Sequence, residues 1–197
     1  MARAKRTGHD RSFPGRLRIV AGKWRSRLLR IIDEPGLRPT SERTRETLFN
    51  WLSPVIAGAR CLDLFAGTGA LGIEALSRGA ARVVFVDDSA HVVEALRKTL
   101  SDLEAANFEV YLRDALEYLR EADAEPFDIV FLDPPYEEDL LSGLCRSLDR
   151  NGWLNDNAIL YLEQRRDRAR PALPEGWVTT HEKIAGKVSY SLVNTKS

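Results

Sequence analysis

Residues 131–136 read FLDPPY, an acid followed by two prolines and an aromatic ring. Each proline fixes its own φ and carries no backbone N–H, so Pro134 and Pro135 stiffen the turn and strip it of donors. What remains is an acceptor-rich edge, the Asp133 carboxylate and the Pro134 carbonyl, beside the flat face of Tyr136. An exocyclic amino group on a nucleic acid base needs such an edge. Its lone pair is delocalised into the ring, which makes it a poor nucleophile. Acceptors on both of its hydrogens orient the nitrogen and favour its pyramidal, attacking form, while an aromatic ring stacks on the base.

A second stretch, residues 63–72, reads DLFAGTGALG and places Gly67, Gly69 and Gly72 in a G-x-G-x-x-G pattern. Asp87 follows 20 positions after Gly67, where a nucleotide site holds a ribose. Asp63 separates two readings of the loop. The pyrophosphate of NAD would meet a like charge there, whereas the sulfonium and ammonium of S-adenosylmethionine are stabilised by a carboxylate. The glycines are then expected to let the ligand lie against the backbone, where a Cβ would collide. Asp63, Phe65, Ala66, Gly67, Thr68 and Gly69 form the expected donor loop. Asp87 is a candidate for the ribose and Asp114 for the adenine amino group, with Asp88 and Ala115 beside them in the expected donor site. His9, His91 and His181 are widely separated and in no ligand spacing, so no metal site is expected.

The acids must be positioned by strands. From Arg60 the chain alternates short apolar runs with helical patterns: RCLDLFA, RVVFVD, FEVYLRD, FDIVFLD and AILYLEQ are the runs. Between them, helices are expected over GALGIEALSRGA, from Ser89, over ALEYLREA and over EEDLLSGLCRSLDR. Alternation of this kind builds right-handed βαβ units, a parallel sheet and helices on both faces. Ligands then bind beyond the carboxyl ends of the strands, where Asp63, Asp87, Asp114 and Asp133 fall. WVTTHEKIAG and KVSYSLVN, joined around Gly186, predict an antiparallel hairpin at a sheet edge. The fold class is therefore α/β, Rossmann-like, with seven strands.

The chain of 197 residues has a formal net charge of zero that hides an asymmetry. Residues 1–45 hold 13 Lys and Arg against 4 Asp and Glu, while the remainder holds 16 against 25. An acidic body with a cationic arm suits a polyanionic partner. Residues 1–15 lack apolar periodicity and read as a disordered basic tail. Residues 16–58 then read as a hairpin turning at Gly22-Lys23 and a helix from Thr40 or Ser41 to about Leu52. This extension is expected to bind nucleic acid through phosphate contacts from Arg16, Arg18, Lys23, Arg25 and Arg27, with Arg38, Arg43 and Arg45 extending the surface toward the pocket. Trp24 is available either to stack on an unpaired base or to anchor the hairpin on the body. Residues 59–197 carry the catalytic domain. Cys61 and Cys145 are the only cysteines, and no apolar run is long enough to span a bilayer, which together point to the cytoplasm. No apolar seam suggests a dimer, so a monomer is expected.

The glycine loop followed by D-P-P-Y resembles methyltransferases acting on exocyclic amines of bases. More narrowly, GLRPTSERTRETLFNWL, CLDLFAGTGALGIEALSRGA, FLDPPY and KIAGKVSYSL together resemble the bacterial 16S ribosomal RNA (guanine-N2)-methyltransferases. The resemblance runs from about Arg16 to the C-terminus. It implies a seven-stranded methyltransferase fold, S-adenosylmethionine as donor, and a guanine of small-subunit rRNA, in assembling or assembled particles, as acceptor. It also implies that Asp133, Pro134, Pro135 and Tyr136 form the amine pocket, although many relatives carry Phe in place of Tyr136. The same motif permits a DNA adenine-N6 methyltransferase, and a non-catalytic ribosome-binding module is the remaining alternative.

Overall fold

A computed structural model describes residues 16–30, 40–135 and 140–195. The basic tail, Arg38 and Tyr136 lie outside the described residues.

The body is a seven-stranded sheet whose spatial order follows from its alternating pattern. Strands β3 (Arg60–Asp63), β4 (Arg82–Asp87), β5 (Phe108–Leu112), β6 (Phe127–Leu132) and β7 (Leu154–Arg165) run parallel. The terminal hairpin, β8 (Val178–Ala185) and β9 (Val188–Asn194), joins antiparallel, with β9 between β7 and β8. In the order β5-β4-β3-β6-β7-β9-β8 the sequence of strand addition reverses between β3 and β6, next to the glycine loop that follows β3. The five parallel strands, the hairpin and its edge position agree with the sequence-based expectation, except that β3, β5 and β6 stop short of RCLDLFA, FEVYLRD and FDIVFLD, and β7 is longer at both ends than AILYLEQ.

Successive strand residues point to opposite faces, and two cores result. On one face Cys61, Phe85, Ile129, Phe131 and Tyr161 pack against α1 (Glu42–Trp51), α2 (Ala70–Ser77) and α3 (Ala90–Asp102). On the other, Leu62, Val84, Val130 and Leu160 meet α4 (Ala115–Glu121) and α5 (Leu141–Arg150). Ser41 caps α1 by accepting from Thr44 N–H, Ser89 caps α3 and Asp114 caps α4. Leu48, Phe49 and Leu52 are fully buried, whereas Trp51 is half-buried against His181 and Tyr190.

The N-terminal hairpin pairs β1 (Arg16–Arg18) with β2 (Leu28–Arg30), Leu17 opposite Leu29. Its strands are shorter than expected, and Lys23, Arg25 and Arg27 lie in the intervening turn rather than along a strand. The turn is bonded to α2 through the backbone. Val20 and Ala21 N–H donate to the Glu74 carboxylate at 2.9 and 3.0 Å, and Lys23 N–H donates to the Ser77 carbonyl at 2.7 Å. Gly22 is required here, because a Cβ would sit 1.8 Å from the Ser77 carbonyl oxygen.

Candidate active site

The glycine loop is held open by the acids around it. Gly67 N–H donates to Asp87 Oδ2 at 2.8 Å, and Ser89 N–H donates to Asp87 Oδ1 at 3.0 Å. Gly72 N–H donates to Asp63 Oδ2 at 2.9 Å, tying the first turn of α2 to the end of β3. Gly67 and Gly69 adopt φ of +49° and +75°, the left-handed region that favours glycine. A Cβ on Gly69 would lie 2.5 Å from Leu96 Cδ1, and one on Gly72 would lie 2.2 Å from the Phe85 ring. The expected reason for glycine therefore needs correction at these two positions. The protein's own side chains fill the space at Gly69 and Gly72.

Asp63 is 2% exposed, and burial pushes its carboxyl up to about 7, with Asp87 adding to the rise and the Gly72 N–H opposing it. A cationic ligand beside it would restore its charge. Such a donor set suits the sulfonium and ammonium of S-adenosylmethionine and disfavours a pyrophosphate. Asp87 and Thr68 are half-buried, as is Phe65, which packs against the α4–α5 core; Ala66 is buried and Asp88 exposed. Asp114 is an exposed helix cap whose Oδ1 accepts from Leu116 and Glu117 N–H, and Ala115 is buried at the start of α4.

Asp133 directly follows β6, which pairs with β3 so that Phe131 stands opposite Asp63. Phe131 and Asp133 are two apart, so the acid falls on the face where Asp63 lies. Pro134 is buried and Pro135 exposed. The Thr40 hydroxyl donates to Asp133 Oδ2 at 3.3 Å. Leu132 pairs with Leu162, which puts Asp133 beside Glu163 of β7. Glu163 is 4% exposed, and the Tyr161 hydroxyl donates to its Oε2 at 2.5 Å. Burial, then Glu163 and Asp63, hold the Asp133 carboxyl well above its ordinary range, against the opposing Thr40 hydrogen bond. Burial and Glu163 likewise raise the Tyr161 phenol.

Thr40, Tyr161 and Glu163 are absent from the sequence-based site. Thr40 read only as a helix cap, a task Ser41 performs. Glu163 carried a signal, as the acid at the carboxyl end of the apolar run AILYLEQ.

Two residues expected on an RNA-binding surface are placed elsewhere. Trp24 is 6% exposed, its ring packed in the core and its backbone N–H donating to Ser77 Oγ at 3.0 Å, so it anchors the hairpin. Arg45 is 1% exposed and paired with Glu74 at 3.3 Å, and it also donates to the Arg18 and Thr40 carbonyls. That guanidinium ties the hairpin, α1 and α2 together and cannot reach a phosphate. Arg16, Arg18, Lys23, Arg25, Arg27 and Arg43 are exposed.

A Rossmann-like sheet with a braced glycine loop at one strand end and an Asp-Pro-Pro turn at the neighbouring one defines a class I methyltransferase. Residues 17–194 match the family described as Conserved hypothetical protein 95, and the chain belongs to that family. It is 46% identical over 188 residues to ribosomal RNA small subunit methyltransferase D of Escherichia coli K12, covering 95% of this chain and 93% of that one. The protein of the same name from Haemophilus influenzae is 44% identical over 182 residues, covering 90% and 93%. The solved structure of the yhhF protein of Escherichia coli superposes with a TM-score of 0.86 at 42% identity, covering 93% of this chain and 99% of that one.

Proposed function

We propose that this methyltransferase moves a methyl group from S-adenosylmethionine to the exocyclic N2 of a guanine in small-subunit rRNA. The observation that carries the reading is the adjacency of β3 and β6, which sets the Asp133 turn beside the donor loop on one face of the sheet. Asp63, Phe65, Ala66, Gly67, Thr68, Gly69, Asp87 and Asp88 hold the donor, with Asp114 Oδ2 and Ala115 at its adenine. When bound, S-adenosylmethionine supplies an electrophilic methyl carbon on a sulfonium.

Asp133 and the Pro134 carbonyl accept the two N–H bonds of the guanine amine, and Tyr136 stacks on the base. Holding the amine by two acceptors would orient it toward the methyl carbon, and orientation supplies most of the rate. The amine would lose one proton on methylation. Asp133 takes it first, its proton affinity raised by burial and by Glu163. Solvent is the final sink.

The exposed cations of the extension, Arg16, Arg18, Lys23, Arg25, Arg27 and Arg43, contribute charge for RNA. Among the described residues no helix is long and apolar enough to cross a membrane, and we place the enzyme in the cytoplasm as a monomer. The test is to add the protein and radiolabelled S-adenosylmethionine to small subunits from cells lacking it and to map the label. Label on one guanine N2 is expected. Label on adenine, on DNA in competition, or on no base would overturn the reading.

A further inference from the structure

Strand β7 does not stop at the pocket. Two residues beyond Glu163 it reaches Arg165, and the turn that follows carries Arg166, Arg168 and Arg170, all exposed. Arg166 N–H donates to the Lys187 carbonyl at 2.9 Å and its Nη1 to the Gly186 carbonyl at 3.3 Å. The turn after β7 is thus fastened to the β8–β9 turn, where Lys183 and Lys187 are exposed.

Register fixes where this cluster sits. Leu132 pairs with Leu162, Glu163 with Tyr190, and Tyr190 with Lys183, so one row across the sheet reads Asp133, Glu163, Tyr190, Lys183. Residues in one row share a face, and adjacent strands lie about 4.8 Å apart, so Lys183 stands about 14 Å from Asp133 on the pocket's own face. Arg165 occupies that face too, about 7 Å further along β7 than Glu163. The N-terminal turn is differently placed. It is bonded to Ser77, the last residue of α2, eight residues from the Gly69 end, or about 12 Å along the helix axis. Lys23 and Arg25 therefore sit toward the opposite end of the sheet from the donor loop.

Charge sets this rim apart. Residues 165–187 hold six Lys and Arg against three Asp and Glu, within an otherwise acidic body. Arg165 pairs with Asp167 and Arg170 with Glu182, both at 2.6 Å. These pairs are exposed, weak in water and readily exchanged for phosphate. Among the described residues, Arg166, Lys183 and Lys187 make no ion pair.

We propose that the rim of Arg165, Arg166, Lys183 and Lys187 grips the RNA phosphates flanking the base presented to Asp133. This rests on the RNA substrate reading above. The test compares wild type with Arg166→Gln/Lys183→Gln/Lys187→Gln, measuring KM for small-subunit particles across a salt series. Single-stranded contacts contribute a log–log salt slope of about 0.7 each, so the slope is expected to flatten by about 2. KM at low salt should rise tenfold or more, with donor Kd and kcat kept. A control, Lys98→Gln/Arg150→Gln, removes two exposed charges elsewhere and should leave the slope alone. An unchanged slope in the triple variant, or equal flattening in the control, overturns the rim while wild-type activity still supports the substrate. Wild type failing to methylate the particles overturns the substrate reading and the rim with it.

Discussion

The glycine loop and the Asp-Pro-Pro turn both follow parallel strands that lead into aspartate, yet the hydrogen bonding of those acids differs. At the loop, Asp87 accepts from Gly67 and Ser89 N–H and Asp63 accepts from Gly72 N–H, so each acid has a backbone donor. At the turn, two prolines remove the local N–H groups, and Asp133 accepts a long bond from the Thr40 hydroxyl with Glu163 as its neighbour. One end is a finished shape that a ligand enters. The other is a crowd of acceptors whose cost falls when a ligand brings N–H groups. Donor binding and methyl transfer should therefore be separable by mutation.

The largest effect is expected from Asp133→Ala. Loss of the acceptor proposed to orient and deprotonate the amine should lower kcat about a thousandfold. Donor affinity, measured by calorimetry, should change less than about threefold, since no bond within the glycine loop involves Asp133. Equal loss of donor affinity would break the comparison, because the two ends would then act as one unit.

Gly72→Ala probes the loop side through packing. A Cβ 2.2 Å from the Phe85 ring forces that buried ring to move, and overpacking of this kind costs about 1–3 kcal/mol. Urea unfolding should show that loss. Adding Phe85→Leu should recover part of it, a coupling expected only if the ring is the obstacle. Equal destabilisation without recovery would mean the glycine serves something other than the packing of α2 on β4.

Much of this was legible in the chain. Apolar strands leading into Asp63, Asp87 and Asp133 pointed to both halves of the candidate site, because strand and strand end are local properties. The acceptor turn's surroundings were not local. Glu163 reaches Asp133 through the β6–β7 register, and Thr40 arrives from nearly a hundred residues upstream. Arg45 shows a signal that charge obscured. It shares a helix face with Leu48, Phe49 and Leu52, at spacings of three, four and seven, and that face is buried. Its partner, Glu74, stands alone as an acid in the apolar stretch GALGIEALS. A cation on an apolar stripe and an acid inside another are what a buried pair looks like in sequence.

Glu163→Gln gives the smallest effect and the sharpest view of the acceptor side. After burial, the Glu163 charge is the leading cause of the raised Asp133 carboxyl. If transfer needs Asp133 ionised, the rate rises with pH as that carboxyl loses its proton. Removing the neighbouring charge favours ionisation, so the acid limb of the pH–rate profile should move to lower pH. The shape of glutamine keeps the side chain in place opposite the Tyr161 hydroxyl, and the plateau rate should fall only modestly. A purely structural Glu163 would lower the plateau and leave the limb where it was. A limb that moved upward would mean that Glu163 donates a proton to Asp133 rather than repelling its charge.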